Sequence, residues 1–380
     1  MSKIAQKIGG MSESDELCLI CGRKTKGFHC QVNSCRACRK CDLTKNITGK
    51  PICRYCRFKR CLEVGMTVDS ANSETLPSVI TTPEMPEKCV TVNYEFDGKS
   101  FLVNWDSLAE SINEVLNIES HFIPNFGSTH LTEMQKFQIG LERLINYGKA
   151  KANVKHFNEG TINREEIVNF YLKYITFLCQ ILTSLNSFMK FSSKDKFLLF
   201  KNFWRGFRTF DRLYATFQHF GYETAETITL IDNQHISDIS KQNFLLSVLT
   251  DKERESYLQL TTKSRETFIR NILIPFKQLR PTQMELGYLG FLLLWDVQNI
   301  PELGNDAIEV SNEQIDKASS EMHNYYTYEL RLPNYALRLI KMNKLISECQ
   351  KQTEERKQIV TMAQVFNLFN YDLIDCKILD

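Results

Sequence analysis

Nine of the chain's thirteen cysteines fall between Cys18 and Cys61, in the order C-x2-C-x8-C-x4-C-x2-C-x2-C-x11-C-x2-C-x4-C. No other feature restricts the fold so strongly. Thiolates held two residues apart in separate pairs can close a tetrahedral shell around zinc, and a short segment closed in this way folds around its metal. The same window is cationic, with twelve Lys and Arg against a single acid, Asp42. It carries +11 in a chain whose total is +2, which leaves −9 on the remaining residues. A small, metal-stapled, cationic head on a mildly acidic body suits a polyanion such as nucleic acid.

At 380 residues the chain has room for two domains, and a hydrophobic content of 43% with 25 Phe excludes a mainly disordered protein. The apolar run Phe291–Trp295 is far too short to span a bilayer, and the N-terminal stretch lacks the continuous apolar segment of a secretory signal. No membrane partner is expected, and the cysteines are expected as thiols and not as disulfides. The dispersed Cys89, Cys179, Cys349 and Cys376 read as free, mostly buried thiols.

Four segments follow along the chain. Residues 1–17 are polar and flexible, and the cysteine module occupies 18–66. Residues 67–107 form a linker rich in Ser, Thr, Pro and Glu that ends in a hairpin, its strands flanking Asp97-Gly98. From 108 to 380 the apolar spacing is helical. It predicts helices over Leu131–Lys149, Arg164–Lys190 and Lys194–Gly221, the last capped by Ser192 or Ser193 and apolar on most sides, hence central. A short β-turn segment around Asp232-Asn233 comes next. Helices are then expected over Ser237–Leu249, Asp251–Gln278, Thr282–Val297, Ser311–Leu330 and Pro333–Gln350, with a short terminal one at Met362–Leu373. Thr282-x-x-Glu285 after Pro281 is a capping box. His219 and His235 read as surface or core histidines, since neither has a second ligand at helical spacing.

In the module, Cys18, Cys21, Cys35 and Cys38 supply two pairs for one complete zinc shell. The blocks CLICG (18–22), GFHC (27–30), CRAC (35–38) and KPICRYCRFKRCLEVGM (50–66) resemble the DNA-binding domain of nuclear hormone receptors, in particular the expanded nematode group related to hepatocyte nuclear factor four. The resemblance implies a second zinc site, of which Cys41, Cys53 and Cys56 match three ligands. Cys61 or Cys30 would have to supply the fourth. It also implies a recognition helix after CRAC with two adjacent Phe and two Arg. Here Cys38 is followed at once by Arg39-Lys40-Cys41, so the DNA-binding domain is truncated at its groove-reading element. Arg36, Arg39 and Lys40 remain as candidates to touch double-stranded DNA, and Arg54, Arg57 and Arg60 to hold phosphates.

The resemblance extends over the body. Phe188, Phe191, Asp195, Lys196, Leu199, Phe200 and Lys201 stand in the frame of the family's ligand-binding-domain signature. It implies a mainly α protein, a four-cysteine zinc-finger module followed by a helical sandwich around an apolar pocket. That pocket would take a small lipophilic ligand and be lined largely from 164–230 and 330–345. Glu285 and Arg338 match positions that pair across helices. Lys201 matches the minor basic position of the clamp that holds transcriptional cofactors, whereas the main one falls on Thr183. The C-terminal NLFNYDLIDCKILD lacks a clean ΦΦxEΦΦ helix, which turns the expectation from activation towards weak activation or repression.

Two readings follow. The first is a zinc-dependent, sequence-specific DNA-binding transcription factor, nuclear (RFKR at 57–60 is compatible with import) and acting as a homo- or heterodimer with other receptors. The second is a receptor-like interaction protein, impaired in DNA binding, that works through its helical domain. A zinc enzyme is not expected, because no Glu or His stands beside Cys41, Cys53 and Cys56 as a general base; Glu63 is the nearest such residue.

Overall fold

The structure is a computed structural model. It describes residues 88–96, 101–120, 131–156, 164–224, 227–240, 250–298, 300, 302–366 and 368, together with the strand pairs 28–29 and 32–33. The chain divides into two compact units, one of residues 1–79, 127–131 and 323–332, the other of 80–126, 132–322 and 333–380.

In the first unit, β1 (Phe28–His29) pairs antiparallel with β2 (Val32–Asn33), His29 facing Val32. The unit also holds a π-helical turn, Tyr325–Glu329, in which Tyr325 O accepts from Leu330 N; Arg331 follows with φ 53°.

The second unit is helical. Its hairpin, β3 (Tyr94–Phe96) and β4 (Phe101–Val103), pairs Phe96 with Phe101 in the antiparallel register expected from the sequence; the connecting residues 97–100 lie outside the described residues. An isolated hairpin is marginal in water. This one is tied to the body, because Val90 N donates to Thr176 Oγ1 (2.9 Å) and Tyr94 OH to Glu165 (2.8 Å). Asn104 then caps α1 (Trp105–Leu116), and a Thr132–Gln135 capping box opens α2 (Glu133–Gly148).

The helix expected over 164–190 is two: α3 (Arg164–Thr183) and the single turn α4 (Asn186–Met189). Ser184 Oγ donates to Ile181 O at 2.6 Å, diverting a carbonyl from the helical ladder where the chain breaks. The long α5 (Ser193–Phe220) starts on Ser192, whose hydroxyl accepts from Asp195 N, and ends at Gly221 with φ 80°. Leu199, Phe200, Phe203, Trp204, Phe207, Phe210 and Phe217 are all buried on it. It is central as expected, packing against α1, α2, α8 (Gln283–Trp295), α10 (Ala336–Val365) and β6 (Ile228–Leu230). Gly290 brings α8 close to it, since a Cβ there would meet the Phe207 ring at 2.7 Å.

After α5, β6 and β7 (His235–Asp238) form a hairpin, and β7 also pairs in parallel with β5 (Lys155–His156). Asp232 builds the turn, Oδ1 accepting from the backbone of Gln234 and His235, Oδ2 lying 2.8 Å from His235 Nδ1. Ser237 and Asp238, expected to open a helix, are therefore strand; residues 241–249 lie outside the described residues. A Thr250–Glu253 capping box opens α6 (Asp251–Phe268), which runs through a π turn at Ile269–Leu273 into α7 (Ile274–Leu279). Pro275 lacks an N–H, and the wider turn lets the helix pass it without a break.

The final helices differ from the sequence reading in their ends. α9 (Asn305–Asn324) begins six residues before Ser311. α10 runs unbroken to Val365 and absorbs Met362–Val365, which were expected in a separate helix, because no Gly or Pro interrupts 336–365. Among the described residues no helix is long and apolar enough to cross a membrane.

Candidate functional site

The interior between α3, α5 and α8 is aromatic. Tyr171 and Tyr174 on α3 meet Trp204 edge-on at 6.1 and 5.8 Å, and Phe137 on α2 meets Phe203, Phe207 and Phe291 in the same way. Within this apolar mass lies one ionic group. Arg212 donates through Nε and Nη2 to Asp211 Oδ2 (3.0 and 2.6 Å) and through Nη1 to Gly148 O (3.1 Å); Tyr174 OH donates to the same carboxylate oxygen at 2.8 Å. Arg212 also lies over the rings of Phe170 and Tyr174. Burial works against its charge, but Asp211 outweighs that and holds the guanidinium above its ordinary pKa. Burial, then Asp211, pushes the Tyr174 phenol well up. The group therefore holds a charged guanidinium and a neutral phenol around one carboxylate oxygen. It was missed in the sequence because adjacent residues on a helix do not face each other, so Asp211-Arg212 reads as a solvated pair.

A second cationic place lies on the other side of α5, where a partly open cavity of about 20 Å³ is bounded by α5, the α6 region and α10. Arg205, Arg208 and Arg356 line it, and its nine lining residues include no Asp or Glu. Arg208 stacks on Tyr171 and Trp204, with its guanidinium carbon 5.6 and 5.8 Å from the ring centroids. Cys349 forms part of the wall, its Sγ donating to Gly206 O at 3.7 Å. Burial pushes this thiol up to about 12, against the lowering influence of Arg356, a hydrogen bond from Thr209 and Arg208. The sequence signal was present as Arg205, Arg208 and Arg212 at three- and four-residue intervals in an otherwise apolar helix.

The residues expected to bind zinc and DNA (Cys18, Cys21, Cys35, Cys38, Cys41, Cys53, Cys56 and Cys61; Arg36, Arg39, Lys40, Arg54, Arg57 and Arg60) lie outside the described residues, as do Cys376 and the C-terminal segment. The β1–β2 pair flanks Cys30. Cys179 and Cys349 are buried free thiols and Cys89 is half-buried. Among the described residues no three His, Cys, Asp or Glu gather into a metal site. His219 is exposed, and His235 is buried against Asp232.

The signature residues take up distinct places. Phe188 is buried, and Phe191 lies 6.1 Å from the Trp295 ring. Asp195 sits in the first turn of α5. Lys196 is buried with Nζ 3.4 Å from Asn117 Oδ1, and burial lowers its pKa. The pair expected across helices is formed: the Arg338 guanidinium on α10 grips the wholly buried Glu285 carboxylate on α8, Nε to Oε1 and Nη2 to Oε2 (2.8 Å). Glu285 also closes the Thr282 capping box, so one carboxylate starts α8 and clamps α10 to it.

Comparison with known proteins agrees with this architecture. Residues 158–366 match the ligand-binding domain of nuclear hormone receptors. The chain belongs to the nuclear hormone receptor family. Residues 39–68 match a double treble clef zinc finger of the C4 type, a match that starts directly after Cys38. Among curated relatives from Caenorhabditis elegans, nuclear hormone receptor family member nhr-218 is 24% identical over 93% of this chain and 94% of its own length. Members nhr-127 and nhr-213 are each 22% identical, over 88% and 86% of this chain. The protein is thus a nuclear hormone receptor with a zinc-binding C4 finger and a ligand-binding domain, the make-up of a nuclear receptor transcription factor. In this receptor Thr183 is buried and donates its hydroxyl to Gln180 O, while Lys201 on α5 is half-buried.

Proposed function

We propose that this receptor regulates transcription in the nucleus by zinc-dependent, sequence-specific binding of double-stranded DNA, under the control of its helical ligand-binding domain. The observation that carries this reading is the juxtaposition in one chain of a +11 cysteine head and a receptor-type helical body. The donor set fits zinc, with soft thiolates, paired at x2 spacing, in a cationic segment that favours the thiolate. Cys18, Cys21, Cys35 and Cys38 hold the first ion. Cys41, Cys53 and Cys56 hold a second, with Cys61 or Cys30 completing its shell. Zinc fixes the shape of the head. Arg36, Arg39 and Lys40 then face the bases, and Arg54, Arg57 and Arg60 face phosphates.

The helical domain takes a small lipophilic ligand and joins a second receptor. Leu337 and Ile340, each 63% exposed on α10, offer apolar surface for such a partner to cover. Cofactors are engaged through Lys201 without a lysine at Thr183, which supports weak activation or repression.

A gel-shift series of the full chain against random and selected duplexes, at rising salt and with a chelator, tests the DNA reading. A sequence preference lost on chelation is expected, and equal affinity for random duplex would overturn it. The second reading, an interaction protein impaired in DNA binding, draws on the two residues between Cys38 and Cys41, which leave no length for a groove-reading helix. It expects no duplex preference and an intact dimer by light scattering.

A further inference from the structure

We infer that the cysteine head holds its two zinc ions in one binuclear cluster, in which the Cys38 thiolate binds both ions. The inference rests on the zinc reading above and sharpens it. That reading leaves the last position of the second shell between Cys61 and Cys30, and a shared thiolate fills it from inside the set. The spacing of the cysteines carries it. Seven of the nine, Cys18, Cys21, Cys35, Cys38, Cys41, Cys53 and Cys56, have another cysteine at x2 spacing. Such a pair closes on a single tetrahedral ion. Cys38 alone has x2 neighbours on both sides, Cys35 before it and Cys41 after it, so by spacing it belongs to both shells at once. Two tetrahedral ions offer eight ligand positions, and seven thiolates fill them when one is shared. A thiolate sulfur retains lone pairs after binding one ion and can donate to a second. Only Arg39 and Lys40 separate Cys38 from Cys41, which keeps their Cα atoms within about 11 Å even in extended chain. An ion held through Cys41 is therefore a near neighbour of the ion held through Cys38.

The two cysteines outside the x2 pattern stand apart from it. Cys30 comes at the closed end of the β1–β2 pair, after His29, which faces Val32; Cys35 continues from the open end, after Asn33, which faces Phe28. The strand pair thus lies between Cys30 and the run from Cys35 to Cys41. Cys61 follows Cys56 only at x4, across Arg57, Phe58, Lys59 and Arg60. Charge agrees with a shared sulfur. Two zinc ions do not neutralise seven thiolates, so the cluster keeps a net negative charge. Arg36, Arg39, Lys40 and Arg54 fall inside the x2 spacings, where they favour thiolate over thiol. Sharing also makes the two ions one folding unit, since the second shell is complete only where the first is formed.

The test is a cobalt(II) titration of the full chain, with the ion count read by native mass spectrometry and the spin signal by electron paramagnetic resonance. Two cobalt ions joined through one sulfur couple their spins. The expected result is two ions per chain and a signal that falls as the second ion enters, where separate centres would double it. The double variant Cys30→Ser, Cys61→Ser should still take two coupled ions, and Cys38→Ser should take one. The coupling is read in the parent chain, so it decides the matter even where a variant does not fold. Uncoupled spins, a single ion in the parent chain, or a folded double variant that has lost its second ion would each overturn the shared thiolate and leave the zinc reading standing. Absence of thiolate-bound cobalt from the parent chain would overturn the zinc reading itself and the inference with it.

Discussion

Helix α5 carries arginines in two contrasting settings. Towards α3 and α2, Arg212 is sealed in the aromatic core, bound to the Asp211 carboxylate, the Gly148 carbonyl and two ring faces. Towards α10, Arg205 and Arg208 line a partly open cavity with Arg356 and without an acid in the lining. The same residue type stands in two environments. In one, the carboxylate sits one residue away and the guanidinium is a sealed structural joint; in the other, three guanidiniums share the wall of a partly open cavity whose lining holds no acid.

The largest test of this contrast is removal of the internal countercharge. Asp211→Ala leaves Arg212 buried without its partner and should cost about 3–5 kcal/mol in urea denaturation, as breaking one side of a buried ion pair does. On the cavity side Arg356→Gln should stay within about 0.5 kcal/mol of the parent. Equal losses from both would erase the distinction.

The Glu285–Arg338 pair falls between these extremes, since the carboxylate is wholly buried and the arginine partly exposed. Glu285→Ala should cost about 2–3 kcal/mol, the value of charged hydrogen bonds plus a helix cap. It should also loosen the start of α10 in hydrogen exchange. Unchanged exchange there would remove this pair as the clamp between α8 and α10.

A smaller effect is expected with pH. Burial raises the Cys349 thiol from 9.0 and the Tyr147 phenol from 10.0, each to about 12. The folded state thus holds these protons more tightly than the unfolded chain. Their contribution is complete below pH 9 and is lost as pH rises towards 12. The thermal midpoint should fall across that window, and Cys349 should resist alkylation at pH 9 while half-buried Cys89 reacts. Equal alkylation of both would place Cys349 in a more open wall than described.

The contrast also separates what the sequence made legible from what it did not. Helix α5 was readable end to end because its signals are local: a serine cap, an apolar run too broad for one stripe, and a glycine stop. The capping box at Thr282 acts at the same range, and so does the alternation that pairs β3 with β4; the boxes at Thr132 and Thr250 are equally local but were not read. Strand β7 was misread at Ser237 and Asp238, because its pairing with β5 crosses some eighty residues and depends on partners that periodicity cannot see. The separate terminal helix at Met362 failed for lack of any breaker in 336–365 to end the one before it. In the candidate site, Glu285 and Arg338 were found through family positions and then seen in contact. The Tyr174–Asp211–Arg212 group was not found, since its acid and base are neighbours in sequence and their third member comes from another helix. The cysteine head shows the opposite balance: its chemistry is read from residue type and spacing alone.

That head supports the central claim that this is a zinc-dependent DNA-binding receptor. The most direct test is replacement of zinc by cobalt(II) in the full chain, followed by absorption spectroscopy. Thiolate-to-cobalt charge transfer and intense tetrahedral bands, saturating at one or two ions per chain and reversed by zinc, are the predicted result. A spectrum of octahedral cobalt without sulfur ligation would contradict the account and leave receptor character to the helical body alone.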